Sequence, residues 1–144
     1  MRWPVLLAAV VLSACGGRVE TSLAQRLGDA EARWRSSGVT HYSVVSRCDG
    51  CEDTIGSLIV EVSPDTVTLV KPAGLGSSPY WDSEPASQPT VEGRFAVLEL
   101  LAPDPRYQVD ATFDWALGFP ATVSISEGRM LHVELQLLSL HALP

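Results

Sequence analysis

An α+β domain is the fold class this sequence predicts: two helices on one face of an antiparallel six-stranded sheet, a two-layer arrangement with αβββ-αβββ order. Three observations predict it. Apolar residues recur at helical spacing twice, in "SLAQRLGDAEARWRSSG" and in "TVEGRFAVLELLA". Three segments of alternating or β-branched character follow each of those stretches. Proline, glycine and aspartate separate the segments closely enough for hairpins.

The chain opens on a leader rather than on the domain. Arg2 supplies a short positive region, Val5 to Leu12 an unbroken apolar run, and Ser13-Ala14 two small residues directly before Cys15. That is the layout of a secretory signal, and the run is shorter than the roughly 20 residues a spanning helix needs. Leu12-Ser13-Ala14-Cys15 resembles the lipobox of bacterial lipoproteins. The resemblance implies cleavage after residue 14 and lipidation of Cys15, against the simpler reading of an ordinary signal peptide with an incidental cysteine. One acyl chain binds a bilayer only marginally, so the two or three chains of a lipoprotein terminus make the anchor durable. Gly16 stands where some bacteria read an inner-membrane retention Asp, which favours the outer membrane in a cell with two. The expected organisation is a signal peptide over 1–14, a lipidated tether over 15–20 and one domain over 21–144.

The whole chain carries a net charge of −7, and loss of Arg2 with the leader makes it more acidic still. Nucleic acid is therefore a poor partner, because its binding depends on Lys and Arg neutralising phosphates. The expected attachment is to a membrane through the lipid, with an envelope protein or ligand as partner and no cofactor.

Within the domain, Leu23, Leu27, Ala30 and Trp34 make one face of the first helix, Ser22 its N-cap and Gly38 its stop. A stripe ending in Trp is read as core. "THYSVVSRC" then alternates, with Tyr42, Val44 and Ser46 on one side. "SLIVEVS" and "TVTLVK" follow as a hairpin about Pro64-Asp65, completing a meander. Residues 72–89 hold four prolines, two glycines and four serines and predict a long loop. Tyr80 and Trp81 at its centre suit recognition if exposed; the plainer reading folds them onto the sheet. Thr90 caps the second helix, whose buried face is expected at Val91, Phe95, Leu98 and Ala102, with Pro103 ending it. "RYQVDATFDW", "ATVSISE" and "MLHVELQLLSL" are the last three strands, the final pair turning at Glu127-Gly128. The last strand points Leu131, Val133, Leu135 and Leu137 inward, with His132, Glu134 and Gln136 outward. The repeated order reads as a weak internal duplication in pattern.

Several short motifs stand in a fixed order: Trp34, Tyr42-Ser43-Val44, the pair Cys48 and Cys51, Thr90-Val91-Glu92-Gly93-Arg94-Phe95, and Phe113-Asp114-Trp115-Ala116-Leu117-Gly118-Phe119-Pro120. Over residues 34–138 they resemble a family of bacterial secreted and lipid-anchored proteins known only as a domain of unknown function. The resemblance implies the fold and an envelope address but no reaction. Phe113, Phe119 and Ser126 depart from that family's Tyr, Tyr and Asp, and Glu134 stands alone where it has an acidic pair.

"CDGC", residues 48–51, is the motif best suited to redox work. A reactive thiol of that kind sits at a helix N-terminus that lowers its pKa, yet a strand precedes this pair, Gly56 and another strand follow, and Asp49, Glu52 and Asp53 surround it. Zinc would need two further ligands, and only His41 offers itself. Two neighbouring cysteines outside the cytoplasm normally oxidise, so a structural disulfide clipping a hairpin turn takes precedence. In "FDWALGFP", Asp114, Trp115 and Phe119 either line a patch for a ligand or shape a β-connection; the structural reading takes precedence.

His41, His132 and His141 are dispersed, no serine stands in a nucleophile-elbow setting, and no glycine-rich loop cradles a phosphate. The sequence therefore predicts a non-enzymatic, membrane-anchored binding module, with Asp114, Trp115, Tyr80 and Trp81 as candidate contacts on the open sheet face and the 72–89 loop. The alternatives are an envelope thiol-disulfide or metal-binding factor using Cys48 and Cys51, and a hydrolase-inhibitor-like module.

Overall fold

The computed structural model describes residues 21–51, 56–64, 66–74 and 89–144. Cys15, the leader and tether, Tyr80 and Trp81 lie outside the described residues.

The architecture is two helices on a six-stranded antiparallel sheet. The elements are α1 (Leu23–Ser37), β1 (Tyr42–Asp49), β2 (Ser57–Ser63), β3 (Thr66–Pro72), α2 (Val91–Leu101), β4 (Gln108–Phe113), β5 (Pro120–Glu127) and β6 (Leu131–Ala142). The sheet order is β3-β2-β1-β6-β5-β4. Both meanders form, and the last strand joins the first at the centre of the sheet, where β1 and β6 pair antiparallel.

Local chemistry accounts for the helix ends. The Ser22 hydroxyl accepts from the Gln25 N–H at 3.2 Å, and Gly38 closes α1 in the left-handed conformation at φ 69°. The Thr90 hydroxyl accepts from the Gly93 N–H at 2.9 Å, and Glu92 stands in the first turn of α2. Pro72 is tolerated in β3 because this strand is a sheet edge among the described residues, where its missing N–H breaks no ladder to β2. The strand therefore runs one residue into the expected loop.

One face of the sheet is covered. Tyr42, Val44, Ser46 and Cys48 alternate inward on β1, facing Val62, Val60 and Leu58 of β2. Ala30 and Trp34 of α1 and Val91 and Phe95 of α2 pack on these residues. Val97 and Leu98 meet Ala111, Val123, Ile125 and Leu135 over the other half of the sheet. Fully burying side chains of this size contributes about 1.5–3 kcal/mol each, so the two helices are held by packing rather than by propensity.

Four details differ from the expectations. In α2 the buried set includes Gly93, Arg94 and Val97, whereas Ala102 is its partly exposed C-cap. The β5–β6 connection has three residues, 128–130, because Glu127 pairs with Leu131. Leu131 is exposed at the start of β6, beyond the helical cover, although it lies on the inward side. A bulge at Leu138 then reverses the alternation, so that Leu140 faces Val44 and Ala142 faces Tyr42.

The repeated helix-and-three-strands order is not a duplicated structure. Carrying β1-β2-β3 onto β4-β5-β6 preserves their left-to-right order and the helix-bearing face, yet reverses the strand direction, since β1 and β6 are antiparallel. Only a mirror operation does this. The two halves share an element order without any rotation relating them.

Candidate functional site

A concavity opens where the end of α1, the length of α2 and the β2–β3 hairpin come together. Its volume is about 640 Å³, and Glu31, Trp34, Val67, Glu92, Phe95 and Glu99 are among its walls. That is the size range in which small molecules or peptide side chains are enclosed.

Two buried aromatic donors hold Glu92. The Trp34 indole Nε1–H donates to Oε1 at 3.1 Å, and the Tyr42 hydroxyl donates to Oε2. Tyr42 is fully buried, and its oxygen also accepts the Val91 N–H at 3.1 Å, satisfying a donor at the start of α2. Burial pushes the Tyr42 phenol far above its ordinary range, and the neighbouring Glu92 charge pushes it the same way. The phenol is thus a permanent donor to the carboxylate. Trp34 in turn meets Tyr42 edge-on, centroids 5.6 Å apart, and Phe119 at 6.4 Å. The cleft wall is rigid because its polar and aromatic members fix one another.

Glu31 sits one helical turn before Trp34's position and pairs with Arg35 at 2.8 Å, its side chain 15% exposed against 74% for the arginine. Burial raises the Glu31 carboxyl above the usual range, and hydrogen bonding to Glu99 with its like charge raises it further, against the lowering influence of Arg35. Glu31 and Glu99 therefore face each other across the α1–α2 seam.

Of the contact residues expected from the sequence, Asp114 and Trp115 lie elsewhere, and Tyr80 and Trp81 fall outside the described residues. The Asp114 Oδ1 accepts the N–H groups of Ala116 at 3.0 Å and Leu117 at 2.6 Å, so its carboxylate organises the turn between β4 and β5. Trp115 projects into solvent, 87% exposed, whereas Phe119 turns under the helix against Trp34. Gly118 is the hinge of this turn, at φ 86° and pressed against α1.

Cys48 and Cys51 are disulfide-bonded, with Cα atoms 5.8 Å apart. Cys48 ends the buried row of β1 at 9% exposure and is packed in the second half of the core. Gly50, at φ 87°, lets the loop rest on the backbone of His132 in β6. His41 bonds the Pro144 carbonyl at 3.0 Å, and among the described residues no three His, Cys, Asp or Glu side chains converge on a metal position.

Arg94 was hidden in the sequence. It is 5% exposed beneath α2, donates to the Ser46 hydroxyl at 2.7 Å and leaves its Nε–H without a partner. Desolvation lowers its guanidinium to about 10. The cleft was also unforeseen. The one signal for it is spacing: Glu31 and Trp34 share a helix face, and Glu92 and Glu99 stand two turns apart on α2.

The chain belongs to a family of unknown function, DUF6174, which matches residues 26–137. No curated protein and no solved structure matches the chain.

Proposed function

We propose that the chain is a non-enzymatic binding module anchored to a bacterial envelope membrane through lipid on Cys15, and that it binds through the cleft beside Trp34 and Glu92. The observation that carries this reading is the fixed carboxylate of Glu92, held by two buried aromatic donors while the residue as a whole remains exposed on the cleft wall. A polar group locked in place within a largely apolar concavity is how binding sites orient a ligand. The outer membrane, facing the periplasm, is the favoured location. A buried, disulfide-bonded Cys48 supports an oxidising compartment and a staple, since a redox thiol works from an exposed, electropositive position.

Affinity capture from envelope extract tests the binding role. Ala96→Trp, which fills the cleft from α2, should abolish retention of a specific partner, and Trp115→Ala should leave it. If Ala96→Trp retains the partner and Trp115→Ala loses it, the β4–β5 turn is the contact and the cleft assignment fails. Intact mass of the membrane-extracted protein tests the anchor: it should begin at an acylated Cys15.

A further inference from the structure

We propose that the cleft receives a lysine or arginine side chain presented by an extended segment of a partner polypeptide. This rests on the cleft being the binding surface and adds the chemistry of its occupant.

Charge makes the first selection. Glu31, Glu92 and Glu99 line the cleft with one cation, Arg35, which is spent on Glu31 and lies mostly in solvent. Among the described residues neither Glu92 nor Glu99 forms a salt bridge. Glu92 cannot swing outward to seek one, because Trp34 and Tyr42 hold it. A carboxylate has about four acceptor sites, and two donors leave the others to the cleft.

The walls make the second selection. Trp34, Val39, Val62, Val67 and Phe95 are apolar. A bare ion would gain nothing from them. An apolar side chain would strip water from the carboxylates without pairing them, which is costly. A long aliphatic stem with a cationic head satisfies both, stem on the apolar wall and head at the carboxylates.

The third selection is between a free amine and a chain. The cleft reaches Thr66 and Val67 of β3, which is an edge of the sheet among the described residues. An edge strand offers unpaired N–H and C=O groups to an added strand, so an extended segment can dock there while its side chain enters the cleft.

The test uses the mature chain and follows the Trp34 indole N–H resonance, identified by its absence in Trp34→Phe. Acetyl-Ala-Lys-Ala-amide should shift that resonance saturably. Its norleucine and glutamate counterparts should leave the resonance unmoved, and spermidine should bind at least tenfold more weakly. Glu99→Gln, a substitution at an exposed position, should weaken the lysine peptide about tenfold, the loss of one charge pairing of about 1.4 kcal/mol. Equal binding of the norleucine peptide would overturn the cationic occupant. Spermidine binding as tightly as the peptide would overturn the polypeptide source. If no probe moves the resonance while Ala96→Trp still abolishes partner capture, this inference fails and the binding role stands; if capture is unaffected too, both fail.

Discussion

The Trp34 indole on α1 donates its Nε1–H to Glu92 Oε1 on α2 at 3.1 Å, joining two helices 58 residues apart in sequence. Tyr42 completes the arrangement from the sheet, so both helices and the sheet meet at one carboxylate. Tyr42→Phe removes a donor from Glu92 and the acceptor of the buried Val91 N–H together. Leaving such groups unsatisfied costs about 1–3 kcal/mol. Urea unfolding should show a loss in that range; a change under half a kcal/mol would mean that water replaces the phenol.

Gly118 and Gly128 both have positive φ, at 86° and 56°, but they differ in surroundings. A Cβ at Gly118 would lie 2.3 Å from the Ala30 carbonyl oxygen, whereas one at Gly128 meets nothing within 4 Å. Gly128→Ala should cost about 1–2 kcal/mol, the left-handed penalty for an L-residue. Gly118→Ala should cost clearly more, because the turn must leave α1. Thermal melts of the two variants compare them directly, and equal losses would show that the turn shifts freely.

Arg94 carries a charge under α2 with Ser46 as its hydroxyl partner and no carboxylate salt bridge among the described residues. A charge held under a helix with a hydroxyl as its partner carries a desolvation cost that an apolar side chain of similar length does not. Arg94→Met should therefore hold or raise the melting temperature. A large drop would reveal an anionic partner for the guanidinium.

The disulfide closes a very short ring, a sequence separation of 3. Chain-entropy arguments give about 3 kcal/mol for a 15-residue loop and less for a shorter one. Replacing both Cys48 and Cys51 by Ala should thus destabilise by roughly 2 kcal/mol. Dithiothreitol should lower the stability of the wild type to a similar extent and leave the variant unmoved. Catalysis of insulin reduction by the wild type would instead establish the thiol-disulfide alternative.

Glu31 gives a pH dependence of definite sign. Its carboxyl is raised by burial and by Glu99, so the native state holds this proton at pH values where the unfolded chain has lost it. Its favourable contribution is complete below the unfolded carboxyl's ordinary value of about 4.3 and is lost as pH rises through the elevated native titration. Glu31→Gln should flatten the stability profile on that limb, above the unfolded carboxyl's ordinary range. A variant whose profile parallels the wild type would assign the proton elsewhere.

The order of elements was legible because each rests on local rules. Ser22, Gly38 and Thr90 act within a turn of the helix ends they cap, and the alternation at Tyr42, Val44 and Ser46 is a property of one strand. The turn role of Asp114 was legible for the same reason, since its acceptors serve N–H groups two and three residues away. Three features were not. The pairing of β1 with β6 joins the two ends of the domain, the Leu138 bulge exists only relative to β1, and the cleft is made by helices that meet through the sheet.

By itself, then, the sequence determined the two-layer α+β class, the helix limits and the place of the β2–β3 hairpin. Tertiary structure alone decided that Glu31, Glu92 and Glu99 share a wall, that Arg94 is buried and that the two halves are not copies. The physical reason is range. Capping, turn geometry and amphipathic spacing act over a few residues, whereas burial, charge pairing and sheet order depend on which distant segments come to share the same space.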